Sequence, residues 1–214
     1  MNLKKATMLT IISLCYLFSI RVLGTLYPNL FRNLTAAQIT GSLSFLASLV
    51  ILLFFVLLLR DYVRDDQVSL RRASIWAVVV SVAMVLVMMK GLAVVFHWYT
   101  IVFIAKSPVL RTVETLIPWV SSIVILVFFV TFYKETIRTN LDKLQRPALA
   151  AVIGSSISAG ISTYIIGCFV ATDNIRWFSD LPGSVTTIML PVAAVGFFLK
   201  LYFFVSFYRE LKAV

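Results

Sequence analysis

Apolar residues come along this chain in long unbroken runs, and charges cluster in the gaps between them. A helix needs roughly 20 apolar residues to cross about 30 Å of hydrocarbon. Six runs reach that length, at about 6–27, 37–59, 74–97, 112–133, 148–171 and 184–207. The second holds no charged residue from Ala37 to Leu59, and the fifth none from Pro147 to Thr172. The runs are continuous, without the two-residue alternation of a membrane β-barrel. Lipid offers no hydrogen bonds, so a spanning backbone that is not a closed barrel must be helical. The pattern predicts an all-α polytopic membrane protein. Its six transmembrane helices form one bundle, a single transmembrane domain over 1–214.

The even-numbered runs end alike. Ser48 to Asp65 reads SLVILLFFVLLLRDYVRD, Ser122 to Thr139 reads SIVILVFFVTFYKETIRT, and Phe197 to Lys212 reads FFLKLYFFVSFYRELK. Each carries Phe-Phe-Val, at 54–56, 128–130 and 203–205, then a basic residue at 60, 134 or 209 followed by an acid. The odd runs begin alike too: Lys4-Lys5-Ala6-Thr7, Arg71-Arg72-Ala73-Ser74 and, more weakly, Arg146-Pro147-Ala148. A regular spacing of this kind suggests three helical hairpins in tandem, against the alternative that Phe, Leu and Val recur by chance in any membrane helix.

Composition agrees with the runs. Hydrophobic residues make up 61% of the chain and charged ones 13%, where a soluble domain carries about a quarter charged. The net charge of +10 matters less than its placement. Twelve basic residues (Lys4, Lys5, Arg60, Arg64, Arg71, Arg72, Lys134, Arg138, Lys143, Arg146, Arg209 and Lys212) fall on one side, and Arg32, Lys106, Arg111 and Arg176 on the other. The positive-inside rule then predicts that both termini are cytoplasmic, in a bacterial inner membrane or a eukaryotic one. The first run follows Lys4 and Lys5 as a signal peptide would, but it holds Arg21 and no small-residue cleavage site. It reads as an uncleaved helix. The basic clusters suit anionic headgroups of the bilayer, and no nucleic-acid partner is expected. Two cysteines, Cys15 and Cys168, are too few for a disulfide framework.

Catalytic signatures are missing. The single histidine, His97, excludes bis-histidine haem ligation and any several-imidazole metal site from this chain. There is no His-Glu-x-x-His, Gly-x-Ser-x-Gly or P-loop pattern, so no cofactor is expected, and an enzyme of the bilayer stays open without a signature, the less favoured alternative. What remains unusual is charge at depth. At 1.5 Å per residue, Arg21, Lys90 and Glu114 lie roughly 24, 27 and 30 Å from the basic boundary. They could form an outward-facing polar cluster with His97, Lys106 and Arg111, or simply snorkel. Lys200 lies roughly 13 Å inside, where the other hairpins carry Ile51 and Ile125. It must snorkel, become neutral or meet an anion such as a lipid headgroup or a small solute. Gly154, Ser158, Gly160 and Ser162 give the fifth run small-xxx-small spacing for close helix packing at the centre of the bundle. Pro118 and Pro191 should kink the fourth and sixth helices.

Three functional classes follow. The first is a membrane subunit or scaffold acting through helix packing, as a homo-oligomer or with other membrane subunits. The second is a transporter, channel or small-molecule or lipid binder using the outward polar cluster. The third is a sensor or enzyme, for which the sequence carries no motif.

Overall fold

The computed structural model describes residues 2–27, 34–63, 66–96, 108–172 and 183–213. They form six helices and no strand: α1 (Leu3–Leu26), α2 (Leu34–Asp61), α3 (Val68–Val95), α4 (Pro108–Arg138), α5 (Asp142–Thr172) and α6 (Gly183–Ala213). Each is long and apolar enough to cross a membrane. The molecule is a multi-pass, six-helix membrane bundle.

At their basic ends α3 to α6 run one to two turns beyond the apolar runs, and α1 and α2 less than one turn. Charge stops a segment from lying in hydrocarbon but does not stop its backbone hydrogen bonds, so the helix continues into the interface. Local chemistry then ends it. Asn2 caps α1 by accepting from the Lys5 backbone N–H at 3.1 Å. The turn after α4 is set by Asn140 in the left-handed region, φ 52°. Leu141 N–H then bonds back to Thr136 C=O at 2.9 Å, a Schellman closure. α4 and α6 each continue as one helix through Pro118 and Pro191.

Each helix packs against its neighbours in the chain, and α6 packs back against α1. The six helices therefore close a ring. Neighbours are antiparallel: the Asp61 carboxylate at the end of α2 lies beside the Leu3 backbone at the start of α1. The starts of odd helices and the ends of even ones accordingly share one core, with Leu3, Leu70 and Leu144 beside Leu58, Phe132 and Phe207. The expectation of α5 as the bundle's centre gives way to this ring, in which α5 is a wall between α4 and α6.

The core sits at the end carrying both termini. The three Phe-Phe pairs of α2, α4 and α6 meet there in edge-to-face contacts. Phe55 meets Phe128 at 5.2 Å and 87°, Phe129 meets Phe203 at 5.1 Å and 79°, and Phe204 meets Phe54 at 5.2 Å and 69°. The second ring of each pair touches the first ring of the next, so six rings form a closed collar. Such offset geometries let the positive ring edge meet the negative ring face. All six rings are buried, with Leu58, Phe132 and Phe207 one turn further on. The odd helices fill the gaps with small side chains: Thr7, Ser74 and Ala148 at one level, and Thr10, Ala77 and Ala151 at the next, all fully buried. Large residues on alternate helices and small ones between them interdigitate without voids. The outward faces carry Ile12, Leu46, Trp76, Val127, Val195 and Phe198, as a lipid-facing surface requires.

Candidate functional site

The inward stripe of each helix can be followed from the collar toward the opposite, far end of the ring. Side chains at i, i+3, i+4 and i+7 share a helix face. On α1 the buried residues Leu3, Thr7, Thr10 and Ser13 extend along this spacing to Arg21 and Gly24. On α6, Phe207 and Phe203 extend to Lys200 and Gly196. Both cations therefore project toward the inside of the ring, not toward lipid. Arg21 keeps more than a third of its surface accessible.

Two contacts set their relative height. Phe18 and Phe197 stack across the α1–α6 seam at 4.2 Å with rings 4° from parallel. Arg21 lies one turn beyond Phe18 toward the far end, and Lys200 one turn beyond Phe197 toward the collar. Their Cα atoms are thus about 9 Å apart along the axis, a gap two long side chains close. Lys200 and Arg21 lie within Coulombic range of each other. Lys200 Nζ donates to Ser158 Oγ of α5 at 2.7 Å, and Ser158 Oγ in turn donates to Gly154 C=O at 3.1 Å. Carboxylate ion pairs join Arg60 to Asp61 and Arg138 to Glu135, both at the termini end. No carboxylate among the described residues pairs with Arg21 or Lys200. Two like charges in a low-dielectric interior repel strongly, so an anion between them would be bound by both.

Beside Arg21 is a cavity of about 400 Å³. Its walls are Ile20 and Gly24 of α1, Ala37, Thr40, Gly41 and Ser44 of α2, and Met88, Gly91 and Leu92 of α3. The wall positions of α2 continue the stripe that begins at Phe54 and passes through Ala47, so the cavity opens to the inside of the ring. It exists because the stripe changes from phenylalanine to glycine, alanine and serine. A Cβ at Gly91 would meet nothing within 4 Å, and one at Gly41 only the tip of Leu92 at 3.2 Å. Tyr16 Oη donates to Thr40 C=O at 3.1 Å and ties α1 to α2 beneath it.

The other sequence candidates are placed differently. Lys90 is half-buried on α3. At about 100° per residue it falls on the face of α3 opposite Ala77, Ser81 and Met88, beside exposed Leu86 and Met89. His97 and Lys106 lie outside the described residues, as do the side chains of Arg111 and Glu114. Close packing on α5 is at Gly154, where an added Cβ would lie 2.5 Å from Gly196 C=O. Gly160 faces open space, with nothing within 4 Å of an added Cβ, so the close approach is not there. Ser158 serves Lys200, and Ser162 is half-buried further along the helix. Sequence reasoning missed the convergence of Arg21 with Lys200 and missed the cavity. The helical stripe running from Thr7 and Thr10 to Arg21 carries the signal for the first.

Comparison of this chain with protein-family models, with curated proteins and with solved structures returned no match.

Proposed function

We propose that this protein is a membrane-embedded binder of transporter type that takes up an anionic ligand inside its ring. The observation that carries the reading is the convergence of Arg21 and Lys200 inside the ring with no carboxylate partner among the described residues. Uncompensated charge in a bilayer costs at least about 2.5–3.5 kcal/mol per group near the centre. A ligand that supplies the missing negative charge recovers that cost.

The termini end is the cytoplasmic one in this reading, supported by twelve basic residues against four. The phenylalanine collar closes that end, and the ligand enters from the opposite side. Three tandem hairpins account for the collar: the contact between successive Phe pairs recurs at 5.2, 5.1 and 5.2 Å. The hairpins then differ where the chemistry is. Lys200 stands where the other two have Ile51 and Ile125, and Arg21 where they have Met88 and Ser162.

The test is a panel of anionic and neutral solutes scored by thermal shift of the protein in zwitterionic nanodiscs. Anions should stabilise the wild type, and Arg21→Gln and Lys200→Met should each abolish the effect. If no anion discriminates between wild type and these variants, the reading fails. Recovery of the protein only with a stoichiometric membrane partner, and without anion binding, would favour a subunit role.

A further inference from the structure

The cavity lies next to Arg21 along α1 and is not itself lined by either cation, and its chemistry differs from theirs. On α1, Arg21 is flanked by Ile20 and Gly24 of the cavity wall. On the helical wheel Arg21 lies about 60° from Gly24 and about 100° from Ile20, so the charge borders the cavity on its α6 side. The remaining wall is aliphatic or small, with Leu92 and Met88 facing Ala37 and Gly41. Hydroxyls there are already used: Thr40 Oγ1 donates to Ala36 C=O at 2.8 Å. An inorganic anion would satisfy Arg21 and Lys200 and leave this apolar volume unfilled. A neutral hydrocarbon would fill the volume and leave two charges unmatched.

We infer that the ligand is an anionic amphiphile: an acidic headgroup held between Arg21 and Lys200, and one apolar chain lying in the cavity between α1, α2 and α3. This rests on the anion-binding reading above and adds the chain to it. Size selects a single chain. A water-sized group takes about 30 Å³, so 400 Å³ holds on the order of a dozen methylenes, too few for the two tails of a phospholipid. Glycines make the space available. Gly91 and Gly41 leave open what larger side chains would occupy, and Leu or Phe fills the same stripe near the collar.

The probes are inorganic phosphate, methyl phosphate, octyl phosphate and dodecyl phosphate, titrated into the full chain in zwitterionic nanodiscs and read by thermal shift. Affinity should rise at least tenfold from methyl to dodecyl phosphate, and dodecanol should produce no shift. Gly91→Leu fills the cavity without displacing a neighbour and should weaken dodecyl phosphate at least tenfold while leaving inorganic phosphate unchanged. Ser44→Leu is the second filling variant, in case the first perturbs the fold. Arg21→Gln should abolish binding of all four phosphates. Equal affinity for methyl and dodecyl phosphate, unaffected by Gly91→Leu, overturns the amphiphile and leaves the anion site standing. No Arg21-dependent binding of any phosphate overturns both. Nanodiscs containing phosphatidylglycerol separate the sources: if the two-chain lipid competes with dodecyl phosphate at equal mole fraction, the single-chain assignment is wrong.

Discussion

The two ends of the ring are built on the same six helices and have opposite interiors. At the termini end, phenylalanines from α2, α4 and α6 interlock across the axis, and alanine, serine and threonine of the odd helices fit between them. Toward the far end the same stripes carry glycine, serine and methionine around open space, and Arg21 and Lys200 lie on the stripes of α1 and α6. Backbone geometry does not make this difference; side-chain volume along one face does. The packed end holds the dense apolar contacts that stabilise a membrane bundle. The hollow end gives up such contacts and carries two cations with no carboxylate partner among the described residues, a stability cost that the proposed binding role would explain.

The largest expected effect comes from breaking the packed end. Phe128 touches Phe55, Phe129 and Phe132, and Phe128→Ala should cost about 3–5 kcal/mol. The lipid-facing Ile39→Ala should cost less than about 0.5 kcal/mol. Reversible unfolding in mixed micelles measures both. Equal costs would mean that the collar is not the stabilising core.

A smaller loss tests the wall between the two ends. Gly154→Leu must push α5 off Gly196 and should cost about 1–3 kcal/mol, whereas Gly160→Leu has room and should be neutral. Comparable melting temperatures for the two variants would contradict the close approach at Gly154.

At the hollow end the sign reverses. Arg21→Gln relieves repulsion with Lys200 and should raise the stability of the ligand-free protein by about 0.5–2 kcal/mol. A lower melting temperature would show that Arg21 is already compensated. The smallest effect is the α4–α5 hydrogen bond from Trp119 Nε1 to Thr163 Oγ1, 3.0 Å. A double-mutant cycle with Trp119→Phe and Thr163→Val should give about 0.6 kcal/mol, the usual worth of a polar contact between membrane helices.

The spans were legible because hydrocarbon imposes length and apolarity directly on the sequence. The Phe-Phe-Val motifs were visible as a pattern, but their meeting at one axis depends on ring closure, which no run of apolar residues encodes. Depth alone does not say which face of a helix a charge lies on. Lys90 lies at nearly the same estimated height as Arg21, yet it comes thirteen residues after the buried Ala77, which turns it to the far face of α3. Arg21 comes fourteen residues after the buried Thr7, which returns it to the inside. Small residues on the fifth run were visible too, but which of them meets a neighbour depends on where α6 crosses, and that is at Gly154 rather than Gly160. The cavity was illegible for a similar reason: its volume is set by the spacing of three helices and belongs to no one of them.

The seam between α1 and α6 differs from the other five contacts of the ring, because no loop joins those helices. It brings together segments from opposite ends of the sequence through the stacked rings of Phe18 and Phe197. Contacts of such long separation carry the highest closure entropy and form late. During synthesis the first five helices enter the bilayer as an open trough, with Arg21 on one rim and nothing opposite it. Insertion of α6 shuts the trough and delivers Lys200 beside Arg21 in the same movement. Completion of the wall and assembly of the proposed ligand site are then one event.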